Sequence, residues 1–236
     1  MKRFCWLFSC LFFILIFLVP YAYAIFFQKQ GVQNQDEAKW SCQRESILIA
    51  DTSFPQSDIY ADAEALFKEK RYDDVIRLLS TPAHAEPMNF KLNILLAKAQ
   101  VEKCAILKAK GDKSYKTLLR QPYQIGQRFH KLDKSLPEPY YIVAKSLLIK
   151  NRIYRAIRTI KKALYFSSNN ADYLLVMADA CGAYAQHLKD SESGNVEKYF
   201  SLAIYNYKKA IEIRKDDEEF KTSVEKKIKE ISEKMK

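Results

Sequence analysis

The sequence predicts an all-α fold, an α-solenoid of about four helix–turn–helix repeats with a C-terminal capping helix. Three observations predict it. First, Ala63, Ala97, Ala144 and Ala178 occupy matching points of four helical patterns, and their spacings are 34, 47 and 34 residues. A stride of about 34 belongs to helix–turn–helix units that bury their apolar faces only against their neighbours. Second, the 236 residues are 48% hydrophobic with only 5 Gly, which supplies a sizeable core and too few turn residues for a sandwich or barrel. Third, Phe220, Val224, Ile228, Ile231 and Met235 form one narrow stripe near the C-terminus. A helix apolar on one face only is what the end of a solenoid requires.

The elements follow in chain order. In residues 1–27, Lys2 and Arg3 precede an uncharged stretch from Phe4 to Phe27. Two readings stay open. Ala22 and Ala24 make a small-x-small site for signal cleavage after Ala24. Alternatively, the stretch is an uncleaved N-terminal transmembrane helix, since roughly 20 apolar residues span a bilayer. Both readings place the rest of the chain outside the cytoplasm, in the cell envelope, and in the periplasm of a Gram-negative cell. Residues 28–56 read as a linker with one short helical pattern around Trp40 and Ile47.

Residues 57–216 carry the repeats. Ser57 or Asp58 caps a first helix over Ile59–Lys70, with Ile59, Ala63, Leu66 and Phe67 on its apolar side. Tyr72 opens its partner, which Thr81-Pro82 should end, leaving His84 in a loop. Pro87 opens a second pair whose first helix stops near Gly111-Asp112; its partner spans about Ser114–Lys134, with Pro122 starting or kinking the last segment. Pro137 and Pro139 open the third pair, and Ser167–Asn170 is the turn before the fourth. The capping helix occupies residues 217–236, with Asp217, Glu218 and Glu219 where the helix dipole favours acids.

The third pair resembles a tetratricopeptide repeat (TPR). Tyr140 to Ala144, Leu147, Ile153, Ala156, Ile160 and Ala163 match that family's spacing of large and small residues. The first pair fits at Ala63, Leu66, Tyr72, Val75 and Leu79. The fourth fits at Leu174, Met177, Ala178, Phe200, Ala203, Tyr207 and Ala210. The second departs in its partner helix, where Pro122 and Gly126 stand in place of an alanine and an aromatic. A shift of 81 residues also superposes Tyr60 on Tyr141, Arg71 on Arg152, Arg77 on Arg158 and Ala97 on Ala178, so a short repeat and a long one form a doubled unit. Each long repeat carries its 13 extra residues between its two helices, around Gly111-Asp112 and Gly194-Asn195.

No pattern in the chain marks catalysis. His84, His130 and His187 stand at no metal-ligand spacing, there is no glycine-rich phosphate loop, and no nucleophile motif surrounds a serine or cysteine. Cys42, Cys104 and Cys181 are an odd set at no disulfide-framework spacing. No enzyme activity, cofactor or metal is expected. The net charge of +11 comes from 39 basic and 28 acidic residues interleaved along helices; it favours an anionic partner, and the compartment argues against nucleic acid.

Binding is the expected role. The resemblance implies that the first helices of each pair line a concave groove. Its inward positions are Tyr60, Glu64 and Lys68, then Lys91, Ile94, Lys98 and Glu102, then Glu138, Tyr141, Lys145 and Leu148, then Leu175 and Asp179. Tyrosines beside lysines suit an extended protein or peptide segment with acidic groups. A basic patch of Arg152, Arg155, Arg158 and Lys162 lies on one helix face and could meet an anionic membrane surface. The sequence therefore supports a scaffold binding a protein partner, a lipid-recognising adaptor, or an accessory subunit of an envelope enzyme complex.

Overall fold

In the computed structural model, residues 57–192 and 194–235 are described. The leader with Ala22 and Ala24, the linker over 28–56 and Cys42 lie outside them. The helices in order are α1 (Ser57–Lys68), α2 (Tyr72–Ala85), α3 (Phe90–Ala109), the single turn α4 (Tyr115–Leu118), α5 (Arg120–Leu132), α6 (Pro137–Ile149), α7 (Ile153–Phe166), α8 (Ala171–Asp190), α9 (Val196–Ile213) and α10 (Glu218–Met235). The described residues contain no strand. None of their helices is long and apolar enough to cross a membrane. Successive helices pack against one another along the chain, the arrangement of an α-solenoid.

The period of the alanines has a packing cause. Ala63, Ala97, Ala144 and Ala178 are all fully buried, as are Ala99, Ala156, Ala163, Ala180, Ala203 and Ala210. Small residues on facing helices let the backbones approach, and large side chains such as Leu79, Ile160, Phe129 and Phe200 fill the space between layers.

The doubled unit is real at the level of backbone. Adding 81 to the bounds of α2 gives those of α7, and adding 81 to those of α3 gives those of α8. The two left-handed turn residues Lys70 (φ 62°) and Gly111 (φ 76°) recur as Asn151 (φ 56°) and Glu192 (φ 51°). Asn89 caps α3 through its side chain, and Asn170 does the same for α8. Lys108 donates to the Ile149 carbonyl at 2.7 Å, and its counterpart Lys189 donates to the Lys234 carbonyl at 2.6 Å. Each lysine thus satisfies a carbonyl near the end of a helix that has no partner further along.

Two local expectations are corrected, and a third, that Pro122 starts or kinks the last segment of its stretch, holds. Pro82 does not end α2; the helix runs one turn further and includes His84. The missing proline N–H removes one bond, but Glu86 N–H still closes on the Pro82 carbonyl at 2.9 Å, and buried Ala83 ties that turn to the core. The extra residues of the long repeats do not all fall between helices. Val101–Ala109 contains neither Gly nor Pro, so α3 simply continues, and both α3 and α8 reach 20 residues. The outer helix of the second pair is broken at Leu119, which puts Pro122 in the first turn of α5, where a proline costs little.

Candidate protein-binding groove

The inner helices α1, α3, α6 and α8 carry the groove residues, and the structure gathers them into two adjoining hollows. The first, about 210 Å³, is lined by Tyr60, Glu64, Lys68, Lys91, Ile94, Lys98 and Glu138. The second, about 540 Å³, is lined by Lys68, Lys98, Glu102, Tyr141, Lys145, Tyr173, Leu175 and Asp179 among others. Phe67, Lys68 and Lys98 border both, so the hollows form one continuous face. Leu148 lies outside both.

These residues do not all present themselves to a ligand. Ile94 is 4% exposed and Tyr141 5%, so both belong to the floor. The Tyr141 hydroxyl donates to Glu102 Oε1 at 2.9 Å, and Lys145 donates to the same oxygen. Burial raises the Tyr141 pKa well above the ordinary tyrosine value, and the Glu102 charge raises it further, so the hydroxyl stays a donor. Its ring lies 5.3 Å from that of Tyr173, next along the floor. Tyr60 donates to Glu64 at 2.9 Å; burial first, and then that bond, pushes its pKa up to about 12.

The electrostatics of the face are uneven. Asp179 accepts from the Tyr207 hydroxyl and from Lys227 Nζ, the latter at 2.8 Å. Asp172 accepts from Arg214 at 2.8 Å. Glu102 is matched by Lys145. Lys68 and Lys98, at the junction of the hollows, form no ion pair among the described residues. The unmatched charge of the junction is therefore positive.

Sequence reasoning missed one wall. Tyr72, Arg214, Asp217, Phe220 and Lys227 also line the larger hollow. Of these, Phe220 and Lys227 come from α10, which the stripe pattern identified only as a cap. The stripe faces the core through Val224 and Ile231. Lys227 sits three residues after Val224, beside the stripe, and so reaches the groove; that offset was the available signal.

The basic patch stands apart from the groove. Arg152, Arg155, Arg158 and Lys162 are all exposed along α7, and no residue of α7 lines either hollow. Chemically reactive groups are muted. Cys104 and Cys181 are buried free thiols whose pKa burial pushes up to about 11, the opposite of what a nucleophile needs. Among the described residues no His, Cys, Asp and Glu group is placed to hold a metal ion.

No protein-family model matches the chain, and no curated protein sequence matches it. Solved structures share its outline at low identity. One is MamA, with TM-score 0.41 and 18% identity over 73% of this chain and 93% of that chain. Another is TTC0263, a thermophilic TPR protein in Thermus thermophilus, with TM-score 0.44 and 14% identity over 72% of this chain and 97% of that one. The MamA RS-1 ArsTM double mutant has TM-score 0.42 and 13% identity over 77% and 97% of the two chains. The solenoid architecture of this chain stands on its own helix order and internal doubling.

Proposed function

We propose that the protein is a non-enzymatic scaffold of the cell envelope, outside the cytoplasm, that holds a protein or peptide segment along the concave face. The observation that carries the reading is the junction of the two hollows. There Lys68 and Lys98 are unmatched, while the neighbouring carboxylates Glu102, Asp172 and Asp179 already have cationic partners. Two unmatched lysines at the junction, with Glu64 and Glu138 of the smaller hollow also outside any ion pair among the described residues, favour an occupant that brings an acidic side chain to the lysines. The buried tyrosines Tyr141 and Tyr173 hold the floor of the face in place, so that Lys68 and Lys98 stand on a rigid base. The compartment follows from Lys2-Arg3 and the apolar run Phe4–Phe27.

The test is affinity purification of the intact chain from envelope extract, with partners identified by mass spectrometry. Lys68→Glu combined with Lys98→Glu is expected to lose the principal partner by more than tenfold, because each charge-assisted bond contributes about 1.5–3 kcal/mol. An unchanged partner list would remove the groove from consideration. Tyr141→Ala serves less well here, since it opens a cavity in the floor as well as altering the face.

A further inference from the structure

The doubled unit allows two outer helices of the same chain to be compared position by position. In the first half, Arg71 and Arg77 both pair with Asp74, at 2.8 and 2.7 Å, and Arg71 also reaches Glu69 at 3.3 Å. In the second half the arginines are kept as Arg152 and Arg158. Their counter-charges are reversed: Asp74 corresponds to Arg155, and Glu69 to Lys150. Residues 71–85 hold two arginines against two aspartates. Residues 152–166 hold Arg152, Arg155, Arg158, Lys161 and Lys162 against no acid. None of these five cations forms an ion pair among the described residues.

This arrangement works against the helix that carries it. Both α2 and α7 start on an arginine without a side-chain N-cap, but α7 has no acidic residue in its first turn, and Arg152 and Arg155 crowd the positive end of its dipole. α2 has Asp73 and Asp74 there. A helix that breaks its own local rule while its sister obeys it points to a use for the exposed charge.

Large rings accompany the cations. Tyr154 is 57% exposed, Tyr165 83% and Phe166 44%. At 100° per residue, Tyr154, Arg155, Arg158, Lys161, Lys162 and Tyr165 all point away from buried Ala156, Ile157, Ile160 and Ala163. Cations interleaved with tyrosines on the exposed face of a helix that lines neither hollow suit a planar charged surface with an interfacial zone for rings. The apolar run Phe4–Phe27 would bring such a surface near.

We infer that the outer face of α7 docks on an anionic lipid bilayer. The surface is separate from the groove, and the inference does not rest on the groove's role. In the test, the intact chain is mixed with vesicles of phosphatidylcholine, with or without phosphatidylglycerol. Bound protein and acetylation of Lys161 and Lys162 are then read by mass spectrometry. Any binding through the apolar run is common to both vesicle types, so the difference between them reports the charged face. Phosphatidylglycerol is expected to raise binding and to protect both lysines, and added salt should erase the increment. Arg155→Asp, which restores the pairing seen around Asp74 and changes the face by two charges, should reduce the increment roughly thirtyfold. Tyr165→Ala should reduce it by less. Lys68→Glu with Lys98→Glu should leave it intact, which separates this surface from the groove. Equal behaviour on both vesicle types, or an increment unaffected by Arg155→Asp, would overturn the inference. So would equal lysine protection by soluble polyglutamate, which would reassign the face to an acidic polypeptide.

Discussion

At Gly126 an added Cβ would stand 2.8 Å from Val143 Cγ2 and 3.1 Å from the Pro139 carbonyl oxygen. The backbone oxygen cannot rotate away, so α5 would have to lift off α6. Gly126→Ala is therefore expected to destabilise by about 1–3 kcal/mol, less whatever the roughly 1 kcal/mol gain in helix propensity returns. Gly182 gives the contrast. Its added Cβ would meet the end of the flexible Ile231 side chain at 2.9 Å. A rotamer adjustment costs about 0.5–1.5 kcal/mol and is largely offset by propensity. Gly182→Ala is expected within about 1 kcal/mol of the parent, on the same balance of rotamer cost and propensity. Chemical denaturation of the two variants measures both; equal losses would mean that α5 and α6 do not approach so closely. Neither glycine could be understood from sequence. Gly126 reads as a departure from the repeat pattern, because the pattern does not say which helix lies opposite. Tyr141 was legible as an inward residue, but its burial beneath Glu102 was not, since that depends on a side chain 39 positions away.

Elements were more legible than contacts, because their periods are local. The apolar spacing of α6 and α7 and the prolines opening α6 are enough to place them. The break between α4 and α5 was only partly legible, and the last turn of α2 beyond Pro82 not at all, because tertiary packing of Ala83 overrides a proline's local preference. The doubled unit yields a sharper expectation at its turns. The turn after α3 contains Gly111, for which φ of 76° is free of strain; the turn after α8 contains Glu192, held at φ 51°. A side-chain-bearing residue in this region costs about 1–2 kcal/mol. Glu192→Gly should raise stability by up to about 1 kcal/mol, the greater freedom of glycine in the unfolded chain absorbing the rest. Gly111→Ala should lower it by a similar amount, at about 1 kcal/mol. Thermal melts of the two variants should move in opposite directions; a shift of the same sign in both would show that the turns are not equivalent.

At the scale of the molecule, the course of the chain decides what the groove is made of. Lys70, in the first turn of the solenoid, pairs with Glu219 in the first turn of α10, 149 residues later. No periodicity announces that return, which is why the far wall of the larger hollow was illegible. The pair does little to hold the ends together. Its side chains are 63% and 80% exposed, and such pairs contribute about 0–1 kcal/mol. Stability should then follow nearest-neighbour packing, as in other stacked repeats. Leu79 and Ile160 test this, because they are equivalent under the shift of 81 and both fully buried. Truncation to alanine costs each about 2–5 kcal/mol in its own layer. Leu79 packs in a cluster with Ala63 of α1 and Leu92, Leu95 and Leu96 of α3, in the first pair of the described helices. Leu79→Ala should let α1 and α2 fray while α6 to α9 keep their protection in native-state hydrogen exchange. Ile160 lies likewise between α6 and α8, but with further helices stacked before and after its pair, so Ile160→Ala should lower protection across α6 to α9. If Leu79→Ala instead lowers protection evenly to α9, the solenoid unfolds as one cooperative unit, and the return of the chain at Lys70 and Glu219 binds its ends far more tightly than an exposed ion pair can.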